Sequence, residues 1–413
     1  MSDTQSLLLH KPSESIQASV LLPASKSESN RALIIDALTN HKCTLQNLSE
    51  ARDTQTMQRL LHSPEQTLDV IDAGTTMRFL TAYVAITNKN KILTGTARMC
   101  ERPISILVDA LRSLGANISY LAKEGFPPIH VKNLAYNGVN ELAIRGDVSS
   151  QYISALLMIA PVLPDGLKLQ LTGHVGSKPY IQMTLKQMEH FGIHSQWNDN
   201  TISIPSQTYK PATFWVESDW SAASYWYSIV ALAEDAAIEL RGLKPRSLQG
   251  DSAIAGIMEP LGVKSSFVEG GVRLTKTTNV EKVSVDFTHC PDLAQTVAVI
   301  CAAKNIHLTL TGIESLKIKE TDRVKALQQE LSKFGATLQE TAKEVYEVTR
   351  LANWQPTAQP VTVETYDDHR MAMAFAPLAL LRDTQILHPQ VVVKSYPRFW
   401  QDLAQAGFTI TEK

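Results

Sequence analysis

Six segments of this chain are apolar on almost every side of a helix and carry their polar residues at one end. They lie at 31–38, 75–86, 150–161, 220–232, 293–303 and 370–381. A helix with no polar face has to be buried, so these segments predict six core helices. A second class of helix is amphipathic and stops at a glycine: 103–114, 179–191, 251–261, 322–334 and 397–406, ended by Gly115, Gly192, Gly262, Gly335 and Gly407. Glycine suits the left-handed residue that closes a helix. These stops recur every 70 to 77 residues, a longer period than solenoid repeats have. Short β-branched runs at 167–171, 238–240, 307–311 and 391–393 read as strands.

The implied unit is strand, buried helix, strand, amphipathic helix, strands, repeated six times in an α/β chain. The first unit reads as shortened, because its second helix, 52–61, runs through His62-Ser63-Pro64 without a glycine stop. A polar, proline-containing span at 205–218 lies near the midpoint. It predicts two domains of three repeats: a discontinuous one of 1–24 and 218–413, and an inserted one of 25–217.

Composition narrows the functions. With 413 residues, 19% of them charged, and a net charge of −2, nucleic acid is not the expected partner. The longest apolar run, 155–163, is too short to span a bilayer, and 1–19 has no signal pattern. Cys43, Cys100, Cys290 and Cys301 show no paired spacing, as expected of reduced thiols in the cytoplasm. Neither a dinucleotide glycine fingerprint nor a Walker sequence is present.

The polar ends of the buried helices carry the chemistry. They read Ser25-Lys26-Ser27, Asp72-Ala73-Gly74-Thr75-Thr76, Ser149-Ser150-Gln151, Ser218-Asp219, Pro291-Asp292 and Asp367-Asp368-His369-Arg370. At the first, Ser25 and Glu28 are spaced as a capping box, and Lys26, Ser27 and Arg31 stand within one turn. Free N–H groups, the helix dipole and two cations make an anion site there; a solvated face would show the same residues. Lys26, Arg31, Arg78, Arg98, Lys319, Arg323, Arg370 and Lys394 fall at the same end of each repeat, which predicts a small ligand with several negative charges. Asp292 reads as an N-cap or as a general base. Glu320, between Lys319 and Arg323, reads as a surface ion pair before a helix capped by Thr321, or as a carboxylate tuned for proton transfer. Asp367-Asp368-His369 reads as a helix cap or a metal cluster, the cap fitting its tight spacing better.

Taken together, seven motifs resemble the EPSP synthase (3-phosphoshikimate 1-carboxyvinyltransferase) family. They are Ser25-Lys26-Ser27-x-Ser29-Asn30-Arg31, Ala73-Gly74-Thr75-Thr76-Met77-Arg78, Arg98-Met99-x-Glu101-Arg102-Pro103, Ser149-Ser150-Gln151, Ser177-Lys178-Pro179-Tyr180, Lys319-Glu320-Thr321-Asp322-Arg323 and Asp368-His369-Arg370-Met371-Ala372-Met373, in that order. The resemblance implies an inverse α/β barrel of two domains with three βαβαββ repeats each, and an active site in the interdomain cleft. It implies transfer of the enolpyruvyl group of phosphoenolpyruvate to the 5-hydroxyl of shikimate 3-phosphate by addition and elimination, with no metal or organic cofactor, in a monomeric cytoplasmic enzyme with no membrane or nucleic-acid partner.

By position, the resemblance gives shikimate 3-phosphate to Lys26, Ser27, Arg31, Ser149, Ser150, Gln151, Ser177, Tyr180, Asp292 and Lys319. It gives phosphoenolpyruvate to Lys26, Gly74, Arg98, Gln151, Arg323, Arg370 and Lys394, and the proton transfers to Asp292, Glu320 and Lys26. Shikimate 3-phosphate then belongs to the inserted domain, and phosphoenolpyruvate with the catalytic carboxylates to the discontinuous one. Asp72 and Ser315 stand where the family has Asn, and Phe79 where it has Pro, which should straighten the helix around it. The sister transferases acting on UDP-N-acetylglucosamine pair Lys with Asn near the start and carry a loop cysteine; this chain has Lys26-Ser27 and Ala97 there. A repeat scaffold that only binds partners would place its charge on an exposed concave face instead.

Overall fold

The computed structural model describes residues 6–147, 149–351 and 359–413. The chain divides into two compact units, one formed by Met1–Ala24 with Glu217–Lys413 and the other by Ser25–Val216. Each has its own hydrophobic core.

One sheet design recurs. Among the described residues five sheets have four strands: a parallel pair, then two antiparallel neighbours. In the inserted unit, Thr67–Asp69 pairs in parallel with Lys91–Thr94, which is followed by Ile129–Leu134 and Ala116–Tyr120. The buried helix Gly74–Ile86 connects the parallel pair, as a parallel crossover requires. Leu167–Thr172 alternates buried and exposed residues along its length, so its leucines enter the core. The sixth sheet keeps only a parallel pair, Thr44–Gln46 with Thr213–Trp215. This is the shortened first repeat: the chain has too few residues between Leu61 and Thr67 for the antiparallel pair.

The buried helices form where expected, at Lys26–Leu38, Gly74–Ile86, Ser150–Ile159, Trp220–Leu232, Ala294–Ala303 and His369–Phe375. The Gly74–Ile86 helix runs unbroken through Phe79. Glycine closes the amphipathic helix Ser105–Ser113 for a steric reason: Gly115 has φ +99°, and a Cβ there would meet the Ala135 carbonyl oxygen.

The structure corrects four local expectations. The helix expected over 370–381 ends at Phe375 and continues as a 3-10 turn, Ala376–Leu380, because Pro377 has no N–H for the α ladder. The expected strand 391–393 lies in a 3-10 helix, Pro389–Lys394, started by left-handed His388 and by proline at the first helical position. The helix expected over 251–261 is a 3-10 turn, Gly250–Ala253, followed by a short Ile254–Met258 helix. Asp322, not Thr321, caps Arg323–Lys333 by accepting the Lys325 N–H at 3.1 Å.

Candidate active site

In the inserted unit the tips of three buried helices carry the polar residues. Ser25 caps Lys26–Leu38 by accepting the Glu28 N–H at 3.4 Å. Lys26 Nζ donates to Asp53 Oδ2 at 3.0 Å, and Asp53 is buried. Arg31 is turned inward. Its Nε donates to Thr184 Oγ1 at 2.7 Å, and its Nη atoms reach Ser27 O at 2.8 Å and Ser154 Oγ at 3.1 Å. Burial lowers its pKa to about 10, so it stays cationic at neutral pH. Ser27 and half-buried Tyr180 border this guanidinium, whose carbon lies 6.0 Å from the Tyr180 ring centroid.

Ser149 caps the next tip at the Gln151 N–H, 3.4 Å, and Gln151 Nε2 reaches Thr75 Oγ1 at 3.0 Å. Gln151 is thereby joined to the Gly74–Thr75 tip. Ser150 is buried, and Ser177 takes a left-handed conformation before Lys178–His190. Arg98 is exposed and pairs with Glu101 at 3.1 Å.

The discontinuous unit holds a dense charge cluster. Asp292 lies in a 3-10 turn, Pro291–Leu293, and caps no helix. Its carboxylate accepts from Arg323 Nη1 at 3.0 Å and Arg370 Nη2 at 2.8 Å, with Lys319 at 3.9 Å. Burial pushes the Asp292 carboxyl up, but Arg370, Lys319 and Arg323 outweigh it and hold it well below the usual range. Glu320 accepts from Arg323 Nη2 at 2.9 Å, with Lys394 Nζ at 3.8 Å. Arg323 also donates from Nε to Asp368 at 2.6 Å, so one guanidinium serves three carboxylates. Asp368 caps His369–Phe375 through the Arg370 N–H, 2.8 Å. No group of three or more His, Cys, Asp or Glu among the described residues is placed to hold a metal. The cluster thus offers an ionised acceptor, Asp292, and a second carboxylate, Glu320, beside four cations.

The EPSP synthase (3-phosphoshikimate 1-carboxyvinyltransferase) family profile matches residues 10–63 and 58–403. A 3-phosphoshikimate 1-carboxyvinyltransferase of Bacteroides fragilis (strain YCH46) is 51% identical over 408 residues, 98% of each chain. The chain belongs to the EPSP synthase family. A relative of the same name from Idiomarina loihiensis is 36% identical over 426 residues, covering 96% of this chain and 97% of its own. A solved EPSP synthase structure from Acinetobacter baumannii shares the fold, with a TM-score of 0.76 at 18% identity over 98% of this chain and 100% of that one.

Against the family's motifs, the structure adds residues that sequence reading passed over. Asp53 sits in the first turn of an amphipathic helix and gave no signal of pairing with Lys26. Asp251, two per cent exposed, accepts a hydrogen bond from Ser221 Oγ, which lies 3.3 Å from Arg370 Nη2. Burial and the Asp292 charge raise its pKa to about 6. Arg102, four residues after Arg98, has no local partner in the sequence, yet its guanidinium lies against Gly74. The family departure at Asp72 is matched by Arg52, whose Nη2 contacts both carboxylate oxygens at 2.9 Å.

Proposed function

We propose that this chain transfers the enolpyruvyl group of phosphoenolpyruvate to the 5-hydroxyl of shikimate 3-phosphate, releasing phosphate. Family membership supports the reaction. The observation that carries the residue roles is the Arg323 guanidinium shared by Asp292, Glu320 and Asp368. It keeps two candidate proton-transfer groups beside cations that suit a ligand with carboxylate and phosphate groups.

In the addition step the substrate hydroxyl oxygen bonds to C2 of phosphoenolpyruvate. The hydroxyl proton passes to Asp292, and C3 takes a proton from the Glu320 carboxyl to become a methyl group. In the elimination step the C2–O bond to phosphate breaks, the phosphate leaves with the proton that Asp292 took, and a C3 proton returns to Glu320, assisted by Lys26. Both steps exchange only protons and carbon–oxygen bonds, so they call for no metal or organic cofactor.

Ser27, Arg31, Ser149, Ser150, Ser177 and Tyr180 of the inserted unit are assigned to shikimate 3-phosphate, with Asp292 and Lys319. Arg31 acts there from its buried position by holding the Ser27 carbonyl and the Tyr180 turn. Gly74, Arg98, Arg323, Arg370 and Lys394 are assigned to phosphoenolpyruvate, and Lys26 and Gln151 to both. We place the enzyme in the cytoplasm as a monomer; among the described residues no helix is long and apolar enough to cross a membrane. Mass spectrometry of the purified chain with both substrates tests the reaction. The expected product is the enol ether of shikimate 3-phosphate; absence of that mass at full substrate consistency overturns the reading.

A further inference from the structure

The tip of the Gly74–Ile86 helix is built around an unpaired cation. An ideal Cβ on Gly74 would stand 2.8 Å from both Nη1 and Nη2 of Arg102 and 3.0 Å from Cζ. Arg102 is only 8% exposed. Its Nε is buried without a hydrogen-bond partner, and no carboxylate pairs with its guanidinium among the described residues. Burying a cation without a counter-charge is costly, so such a group is expected to await an anion.

The backbone it touches asks for the same ligand. Gly74–Ile86 is a helix of 13 residues whose N-cap, Ala73, supplies no side-chain hydrogen bond. Its first-turn N–H groups and dipole therefore favour a negative group at Gly74. The spacing is also fixed. Arg78, itself buried, donates from Nη1 to the Gly74 carbonyl at 3.2 Å and from Nη2 to the Pro103 carbonyl at 3.0 Å. One arginine thus ties the glycine to the residue after Arg102.

We propose that Arg102 is a direct ligand for an anionic group of phosphoenolpyruvate, and that residue 74 acts on this substrate through the Arg102 guanidinium. The proposal rests on the enolpyruvyl-transfer reading and extends it to a residue given no role there. Glycine is then required at 74 so that the guanidinium can lie flat on the helix tip. A methyl group there displaces the end of a flexible side chain rather than backbone, so Gly74→Ala folds normally while moving the cation.

The test compares wild type, Gly74→Ala, Arg102→Gln, Arg102→Lys and the Gly74→Ala/Arg102→Gln double variant. Steady-state kinetics give KM for each substrate and kcat, and thermal melting reports folding. Losing a hydrogen-bonded charge contact is expected to raise KM for phosphoenolpyruvate about ten- to a hundredfold in Arg102→Gln, with KM for shikimate 3-phosphate within about threefold. Arg102→Lys retains charge without the planar fork and falls between, and it carries the comparison if Arg102→Gln melts early. Gly74→Ala raises KM for phosphoenolpyruvate in the wild-type background and adds less than about twofold to Arg102→Gln, because residues acting through one contact are not additive. A wild-type KM for phosphoenolpyruvate in both Arg102 variants overturns the proposal, as does full multiplication of the two single effects. Wild-type turnover is measured in the same series, so a chain inactive on both substrates defeats the enolpyruvyl-transfer reading, whereas an active chain indifferent to Arg102 defeats only this one.

Discussion

Arg323 Nε and Asp368 Oδ2 meet at 2.6 Å, both fully buried, and the same carboxylate caps the helix that carries Arg370. Asp368 is therefore both the counter-charge of Arg323 and the cap of the helix that begins at His369. Asp368→Ala removes both the counter-charge and the cap, and is expected to cost about 3 kcal/mol or more of stability. Urea unfolding checks this; a loss under about 1 kcal/mol would show that Asp292 and Glu320 alone balance Arg323.

Glu320→Gln keeps the shape of the side chain and removes its capacity to take a proton at neutral pH. Turnover is expected to fall at least about a hundredfold, with a cooperative unfolding transition retained. Near-normal kcat in this variant would remove Glu320 from the proton transfers.

Asp251 gives the stability a pH signature. Burial and the neighbouring Asp292 charge raise its pKa from the ordinary 3.8 to about 6, so the folded state disfavours the carboxylate. The penalty is fully present above pH 6 and disappears as pH falls toward 4, with a size on the order of 3 kcal/mol. Asp292, held low, contributes in the opposite sense: its stabilisation is present above pH 4 and is lost only in stronger acid. Asp251→Asn is accordingly expected to raise the melting temperature at pH 7.5 and to raise it about half as much at pH 5. An equal shift at both values would mean that burial does not raise this carboxyl.

Asp72 adds a negative charge two residues before Gly74, and Arg52 answers it. Both side chains are partly exposed, so the pair is worth less than about 1 kcal/mol. Asp72→Asn is expected to leave KM for phosphoenolpyruvate within about threefold of wild type. Arg52→Ala, which leaves the Asp72 charge without this partner, is expected to raise it more. Kinetics showing the reverse order would place the cost on Asp72 itself.

Much of this was legible because it is local. The all-apolar segments predicted the buried helices, since no other face was available to water, and the strand-rich units followed from the glycine stops. Caps at Ser25, Ser149, Asp219 and Asp368 formed because a short polar side chain lay next to free N–H groups. Asp292 looked like another such cap, but Arg323 and Arg370, 31 and 78 residues away, hold its carboxylate more strongly than the helix start could. The expected strand at 391–393 was lost in the same way, its β-branched residues yielding to the turn set by His388 and Pro389. Lys26–Asp53 and Gly74–Arg102 join residues about 27 apart along the chain, and nothing in the spacing of either pair marks them as partners.

Phosphate release by the purified chain, with each substrate omitted in turn, separates enolpyruvyl transfer from simple hydrolysis of phosphoenolpyruvate. Enolpyruvyl transfer predicts phosphate only when phosphoenolpyruvate and shikimate 3-phosphate are both present, in amounts equal to the enol ether formed. Phosphate from phosphoenolpyruvate alone, or none with both substrates, would contradict it.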